Sequence, residues 1–326
     1  MIFSSTLALL CLITIPWLIV INKKKWLNHM ILMNHGMCYI AHVRKALEHL
    51  PQHRGMANAV LNGDQNFQTK MNDMQKNIAE DIVAIDECMT RHPLPLTLTS
   101  RWQQIKNNWH SLKSDLNSIS ANDSFERHTA MITDILSLIS DCADDMRINA
   151  HPDNNLQKIA TTTFNLLPTI IEVTGQARGI GTGAAAKGNV VTAVRIKLQF
   201  LHDRLTHTLA TTRQTIENCL QGNNAQFDIK QQTTSNSFSN TQLFLNSISE
   251  NMLASEKPQI SAEEYFSIGS KAFDSNIQLF DAISTALGED LNHRIPRLKN
   301  NLRVSVICSV IVLISSLIFW QQLIIS

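Results

Sequence analysis

Residues 40–61 read IAHVRKALEHLPQHRGMANAVL. Apolar side chains recur at Ile40, Val43, Leu47, Leu50, Ala57 and Leu61, the three- and four-residue steps of a helix that buries one face. Position 54 falls on that stripe, and it is Arg54. Working outward, the rhythm repeats. Phe67, Met71, Met74, Ile78, Ile82, Ile85 and Met89 form a second stripe, which Arg91-His92-Pro93-Leu94-Pro95 ends. Trp102, Ile105, Trp109 and Leu112 form a third, and a loop expected to hold Ser124 leads to Met131, Ile135, Leu138 and Cys142. Beyond a loop at His151-Pro152-Asp153 come Phe164, Leu167 and Ile171, a break near Gly188, then Val191, Val194, Leu198, Leu201 and Leu205. Phe238 to Met252 makes another helix. Strand-like alternation is nearly absent, so the expected fold is all-α. Its form should be an elongated helical bundle of about eight helices, two four-helix bundles sharing long helices.

The last helix of this series announces its start. Ser261 and Glu264 have the spacing of a capping box, and Ile260 with Tyr265 can form a hydrophobic staple. The helix then runs through Phe266, Phe273, Ile277, Phe280 and Leu287.

Two segments bracket the domain. Residues 2–22 and 304–325 contain no charged side chain, and each can cross a hydrocarbon core of about 30 Å. The first lacks the basic start and small-residue cleavage pattern of a secretory signal. Both are therefore expected to be transmembrane helices, with residues 23–303 between them. Lys23, Lys24, Lys25, Arg294, Arg297, Lys299 and Arg303 flank the domain side, and the short tails carry no lysine or arginine. This bias predicts an integral membrane protein with two spans, both tails outside and the central domain cytoplasmic.

Composition excludes several classes. Lysine and arginine number 28 against 27 acids and are scattered among them, unlike the clustered footprint of a nucleic-acid surface. Aromatics make up 6% of the chain, too few for a base-stacking platform. No two cysteines form a CxxC pair, so neither a disulfide framework nor a zinc site is indicated. His49 and His53 have metal-pair spacing and His35, His42 and His49 recur every seven residues, but no third ligand stands nearby in sequence. Gly179, Gly181 and Gly183 lack the Gly-Lys-Ser/Thr of a phosphate loop. No metal, cofactor or catalytic constellation is expected, and the protein is read as a non-enzyme.

The informative residues break the stripe. A second stripe, Phe164, Leu167, Ile171, Thr174, Gly181 and Ala185, places Arg178 where an apolar side chain belongs. Both arginines sit in similar strings, Gln52-His53-Arg54-Gly55 and Gln176-Ala177-Arg178-Gly179, each followed by small residues. Neither has a carboxylate three or four residues away on its own helix. A buried charge is costly unless paired. Each arginine therefore pairs with an acid on another helix or helps form an anion pocket between helices, and for Arg54 a break near Pro51 would also let it reach water. A planar guanidinium suits a planar or bidentate oxyanion.

These strings resemble the nitrate- and nitrite-sensing (NIT) family. Gln52-His53-Arg54-Gly55-Met56-Ala57-Asn58-Ala59 is similar to the family's opening string. Gly175-Gln176-Ala177-Arg178-Gly179-Ile180-Gly181-Thr182-Gly183 is similar to the segment that starts its second half, and Ser261-Ala262-Glu263-Glu264-Tyr265-Phe266, through Ser270 and Lys271, to its closing helix. The resemblance covers roughly residues 40–293. It implies a double four-helix bundle that binds nitrate or nitrite through arginines between long helices. It carries over to Arg54 and Arg178, with Arg195 and Lys271 as lesser candidates. Family members commonly carry an output module, which finds no room here, and membrane-bound members commonly face outward, against the charge bias. The expected protein is a membrane-tethered sensor, in a bacterial inner membrane, that signals to a separate output protein or a second copy. The alternative is a membrane-anchored helical scaffold without a ligand.

Overall fold

The computed structural model describes residues 2–148, 154–221 and 231–325, with side chains from 14 to 219 and 231 to 322 within those ranges. Helix makes up 91% of the structure, and no strand occurs among the described residues, as the three-to-four spacing requires. The order is α1 (Ile2–Leu61), a short 3₁₀ turn (Gln65–Phe67), α2 (Gln68–Arg91), α3 (Leu96–Asp115), α4 (Ala121–Asp145) and α5 (Asn154–Thr161). A π turn (Thr162–Leu166), α6 (Leu167–Lys187), α7 (Thr192–Gln221), α8 (Gln231–Ser247), a second π turn (Ile248–Leu253) and α9 (Ala262–Ile325) follow. The expected loop at His151-Pro152-Asp153 lies outside the described residues. The chain divides into two compact units, Gly36–Leu287 and the pairing of Met1–His35 with Gly288–Ser326.

In the larger unit the stripes are the core. Ile40, Val43, Leu47, Leu50 and Ala57 on α1 are buried, as are Trp102, Ile105, Trp109 and Leu112 on α3 and Phe164, Leu167 and Ile171 around α6. Helix ends follow their local chemistry. Ser120 accepts a hydrogen bond from Asp123 N at 3.0 Å at the start of α4, and Ser261 accepts from Glu264 N at 3.1 Å at the start of α9. Gly188 ends α6 in the left-handed region at φ 64°, where glycine has no side-chain penalty.

Polar ties join neighbouring helices. Trp102 Nε1 donates to Asp86 at 2.7 Å between α3 and α2, and Arg101 pairs with Asp141 at 2.6 Å between α3 and α4. In the second half, Asn276 of α9 donates to Thr241 of α8 at 2.8 Å.

Three local expectations change. Pro51 does not break α1, whose helix is continuous through it, so Arg54 does not reach water there. Ser124 is not in a loop: it is 1% exposed on α4, because that helix starts at Ala121. Val191 precedes α7 and is 51% exposed rather than part of its stripe.

The smaller unit contains the early part of α1 and the late part of α9. Lys23 Nζ donates to Ser305 Oγ at 2.6 Å, and Ser309 and Ser316 are buried. By contrast Trp17, Leu18, Ile19, Ile307, Ile311, Ile314, Leu317 and Phe319 face outward. The apolar stretch of α9 has a mean hydropathy of 2.4, and 11% of it is buried. It is long and apolar enough to cross a membrane. The first anchor's residues up to Ile13 have side chains outside the described set, so the structure establishes one candidate span.

Candidate functional site

Arg54 and Arg178, 124 positions apart in the chain, come together inside the larger unit. Arg54 is 2% exposed and Arg178 8%, so two long cationic side chains occupy core positions. Their helices differ: α1 delivers Arg54 and α6 delivers Arg178. Gly175 allows the approach. A Cβ there would meet Arg54 Nη2 at 3.4 Å and the Phe273 ring at 3.5 Å.

Arg54 is held by an ion pair and three hydrogen bonds. Nη1 donates to Glu172 Oε1 at 2.6 Å and to Thr129 Oγ1 at 2.9 Å, and Nη2 donates to Glu172 Oε2 at 3.2 Å. Gln176 Nε2 adds a hydrogen bond to Glu172 Oε1 at 2.7 Å. The guanidinium Cζ also lies 4.9 Å from the centroid of Phe125, whose ring is 5.4 Å from Lys197 Nζ. The forked pair is the geometry in which arginine binds a planar two-oxygen anion most strongly.

Arg178 is held differently. Its Nη1 donates to Ser270 Oγ at 3.0 Å, and its Cζ lies 4.8 Å from the Phe273 centroid and 5.1 Å from that of Phe266. Aromatic faces stabilise a desolvated cation by up to about 2 kcal/mol but do not neutralise it. Burial pulls the guanidinium down to about 10. Attraction from Asp274 opposes that, Arg54 adds to it, and Glu172 opposes it. The group is therefore charged at neutral pH, and among the described residues it forms no ion pair.

Beside this cluster runs a chain of buried imidazoles. His128 Nδ1 lies 2.7 Å from the Ser124 carbonyl, which can only accept, so that nitrogen carries a proton. His128 Nε2 then accepts from His53 Nδ1 at 2.7 Å. His53 Nε2 in turn accepts from the Gln75 amide at 3.2 Å. The bonds accepted by His128 Nε2 and His53 Nε2 each need a ring nitrogen without a proton, so both imidazoles are neutral, whereas the bond to the Ser124 carbonyl survives protonation. Burial and the neighbouring His128 and Lys113 pull His53 down to about 3, while burial, with Arg54 and Arg127, takes His128 to about 4 against its bond to Ser124. His53 thus belongs to the scaffold that fixes α1 against α2 and α4.

The profile of the nitrate and nitrite sensing family matches residues 45–292. The chain belongs to the nitrate- and nitrite-sensing family. A solved structure, "Structure of the NasR transcription antiterminator", is similar with a TM-score of 0.65 at 12% identity, over 93% of this chain and 86% of that one. At that identity the likeness concerns the fold. No curated protein matches the sequence.

Within this NIT domain the other sequence candidates are Arg195 and Lys271. Arg195 donates from both terminal nitrogens to the backbone carbonyls of Leu253 and Ser255. It is committed to closing the chain after the second π turn. Lys271 is exposed on α9. Of the small residues that follow the arginines, nothing lies within 4 Å of a Cβ at Gly183, or at Gly55, which is exposed to solvent. Gly181 instead receives Tyr265, whose ring atoms would lie 2.3 Å from an added Cβ, and whose hydroxyl donates to Ala177 O at 3.1 Å.

Sequence reasoning missed Glu172, Phe125, Thr129, Ser270 and Phe273. Glu172 had a signal: it is the only acid between Asp153 and Asp203, and it sits in an apolar run. A lone carboxylate on a buried helix implies a buried cation near it.

Proposed function

We propose that the NIT domain binds one nitrate or nitrite ion at Arg54 and Arg178, with Glu172 as the internal group that holds Arg54 in the unliganded state. The observation that carries this reading is the buried Arg178, which forms no ion pair among the described residues. Among the described buried groups two guanidinium charges face the single Glu172 carboxylate, and the solvent-exposed Asp274 attracts Arg178 without forming an ion pair with it, which leaves the buried cluster one positive charge in excess. A monovalent oxyanion neutralises that excess. Nitrate and nitrite are planar with two or more acceptor oxygens, which suits the spare donors of Arg178. The Glu172 carboxylate has the same planar shape, so an incoming anion competes with it for the Arg54 fork. Membership of a nitrate- and nitrite-sensing family supports the ligand class.

Binding then changes which partner Arg54 keeps and how Arg178 sits against α9. Ser270, Phe266 and Phe273 all lie on α9, the helix whose later residues form the apolar stretch. A differential affinity of the two arrangements for the anion would shift their populations. The signal would pass to a separate output protein or a second copy. The outward-facing apolar residues on both helices of the smaller unit support a two-span anchor, and the basic flanks support a cytoplasmic domain. The polar ties among α1–α4 and among α6–α9 support paired four-helix bundles.

The Arg54–Glu172 pair, taken alone, fits a ligand-free scaffold equally well, and Arg178 separates the two readings. Thermal melts of the full chain in detergent, with and without nitrate or nitrite, test the proposal. A saturable rise in the midpoint with either anion, and none with chloride at equal ionic strength, is expected; Arg178→Lys should abolish most of it, because lysine keeps the charge but loses the fork. No anion-specific rise in the wild type would favour the scaffold.

A further inference from the structure

Three metal-ligating side chains meet between α1 and α2. Cys38 and His42 are one helical turn apart on α1, so they share a face. Cys88 of α2 faces them, with its Sγ 3.4 Å from Cys38 Sγ. The two sulfurs and an imidazole nitrogen all lie within 4.8 Å of one another. His42 stands twelve residues from Arg54, about 18 Å along a helix at 1.5 Å per residue, so this cluster is separate from the arginines.

We propose that Cys38, His42 and Cys88 form a binding site for zinc(II) or a similarly soft divalent cation. Zinc binds sulfur at about 2.3 Å and imidazole nitrogen at about 2.0–2.1 Å in a tetrahedron. These lengths set the sulfurs about 3.8 Å apart and each sulfur about 3.5 Å from the nitrogen. The observed 3.4 Å between sulfurs needs only a few tenths of an ångström of widening. A disulfide would need the sulfurs to close to about 2.05 Å instead. Two thiolates neutralise the dication, and a set with no oxygen donor selects against magnesium and calcium. The groups around His42 are balanced, with basic Lys45 and Arg91 against acidic Asp81 and Glu87. Cys88 is buried while Cys38 and His42 are half-exposed, which leaves one side open for water as the fourth ligand. The bound ion would staple α1 to α2.

Cobalt(II) titration of the reduced, untagged, metal-free full chain in detergent tests the site. The expected result is one equivalent bound with a thiolate-to-cobalt charge-transfer band, displaced by one equivalent of zinc. Cys38→Ser and Cys88→Ser should each halve the band per bound cobalt, and His42→Gln should keep it; all three should weaken binding about tenfold or more. Cys308→Ser should match the wild type. His42 is half-exposed, so its replacement leaves the core intact and keeps the test sound if a cysteine variant misfolds. Absence of the band in the wild type, or wild-type affinity in His42→Gln, would overturn the three-ligand site.

Discussion

Replacing Arg54 by alanine leaves Glu172 buried with its main partner gone. The two side chains are 2% and 4% exposed, so solvent does little to screen the orphaned carboxylate. Removing one member of such a pair costs about 3–5 kcal/mol. For a domain of this size each kcal/mol moves the melting midpoint by about 2–4 °C, so a drop of about 6–20 °C is expected. The double variant Arg54→Met with Glu172→Leu should recover most of it, because apolar replacement of a whole buried pair is often neutral or stabilising. Arg178→Met is the contrast. It orphans no carboxylate and keeps the side-chain length that packs near Gly269, where an added Cβ would meet Arg178 Cγ at 2.9 Å. Its midpoint should stay within about 1 kcal/mol of the wild type or rise, since an unpaired buried charge has been removed. Circular dichroism melts of the full chain in detergent read all three. If Arg54→Ala melts with the wild type, or Arg178→Met falls as far as Arg54→Ala, the division into one paired and one unpaired arginine is wrong.

Acid should weaken the fold through the imidazole chain. The unfolded histidines take up protons below about pH 6.5, whereas folded His53 and His128 resist until about 3 and about 4. Stability should therefore fall as pH drops from 6.5 towards 4, by about 1.4 kcal/mol per pH unit for each histidine. His128→Gln should reduce that slope by one histidine's share in denaturant titrations, and an unchanged slope would refute the assignment. Gly181→Ala drives a methyl into the Tyr265 ring and should destabilise by about 1–3 kcal/mol. Gly183→Ala meets nothing within 4 Å and should gain up to about 1 kcal/mol of helix propensity; similar effects from both would contradict the packing described. For topology, Asn122 is exposed on α4, so an Asn122→Cys probe should label with an impermeant maleimide only after the cells are permeabilised. Ready labelling of intact cells would place the domain outside.

Much of the fold was legible because helical burial leaves a periodic trace. Ile40 to Ala57 and Phe164 to Ile171 read as core stripes and are core, and the Ser261 cap follows from local spacing. Arg54 and Arg178 stood out because they break that period. Their surroundings were not legible. Glu172, Thr129 and Phe273 reach the arginines from other helices, and one sequence carries no record of which helix faces which. Ser124 was misplaced because Ser120, not a later residue, caps α4. His53 looked like half of a metal pair with His49, yet the two imidazoles diverge: His49 pairs with Asp81 at 2.6 Å, and His53 turns to His128. Pro51 between them was read as a break because proline removes one helical hydrogen bond, and the packed stripe on either side outweighs that loss.

The buried excess of positive charge at Arg178 is tested most directly by isothermal titration of the full chain with nitrate and with nitrite, alongside Arg178→Met and Glu172→Gln. A charge-assisted hydrogen bond contributes about 1.5–3 kcal/mol, so Arg178→Met should weaken binding about tenfold to a hundredfold. Glu172→Gln, which removes the competing carboxylate, should bind more tightly than the wild type. The account predicts one saturable site per chain, weakened by the first change and strengthened by the second. No binding to the wild type, or an affinity that Arg178→Met leaves untouched, would contradict it.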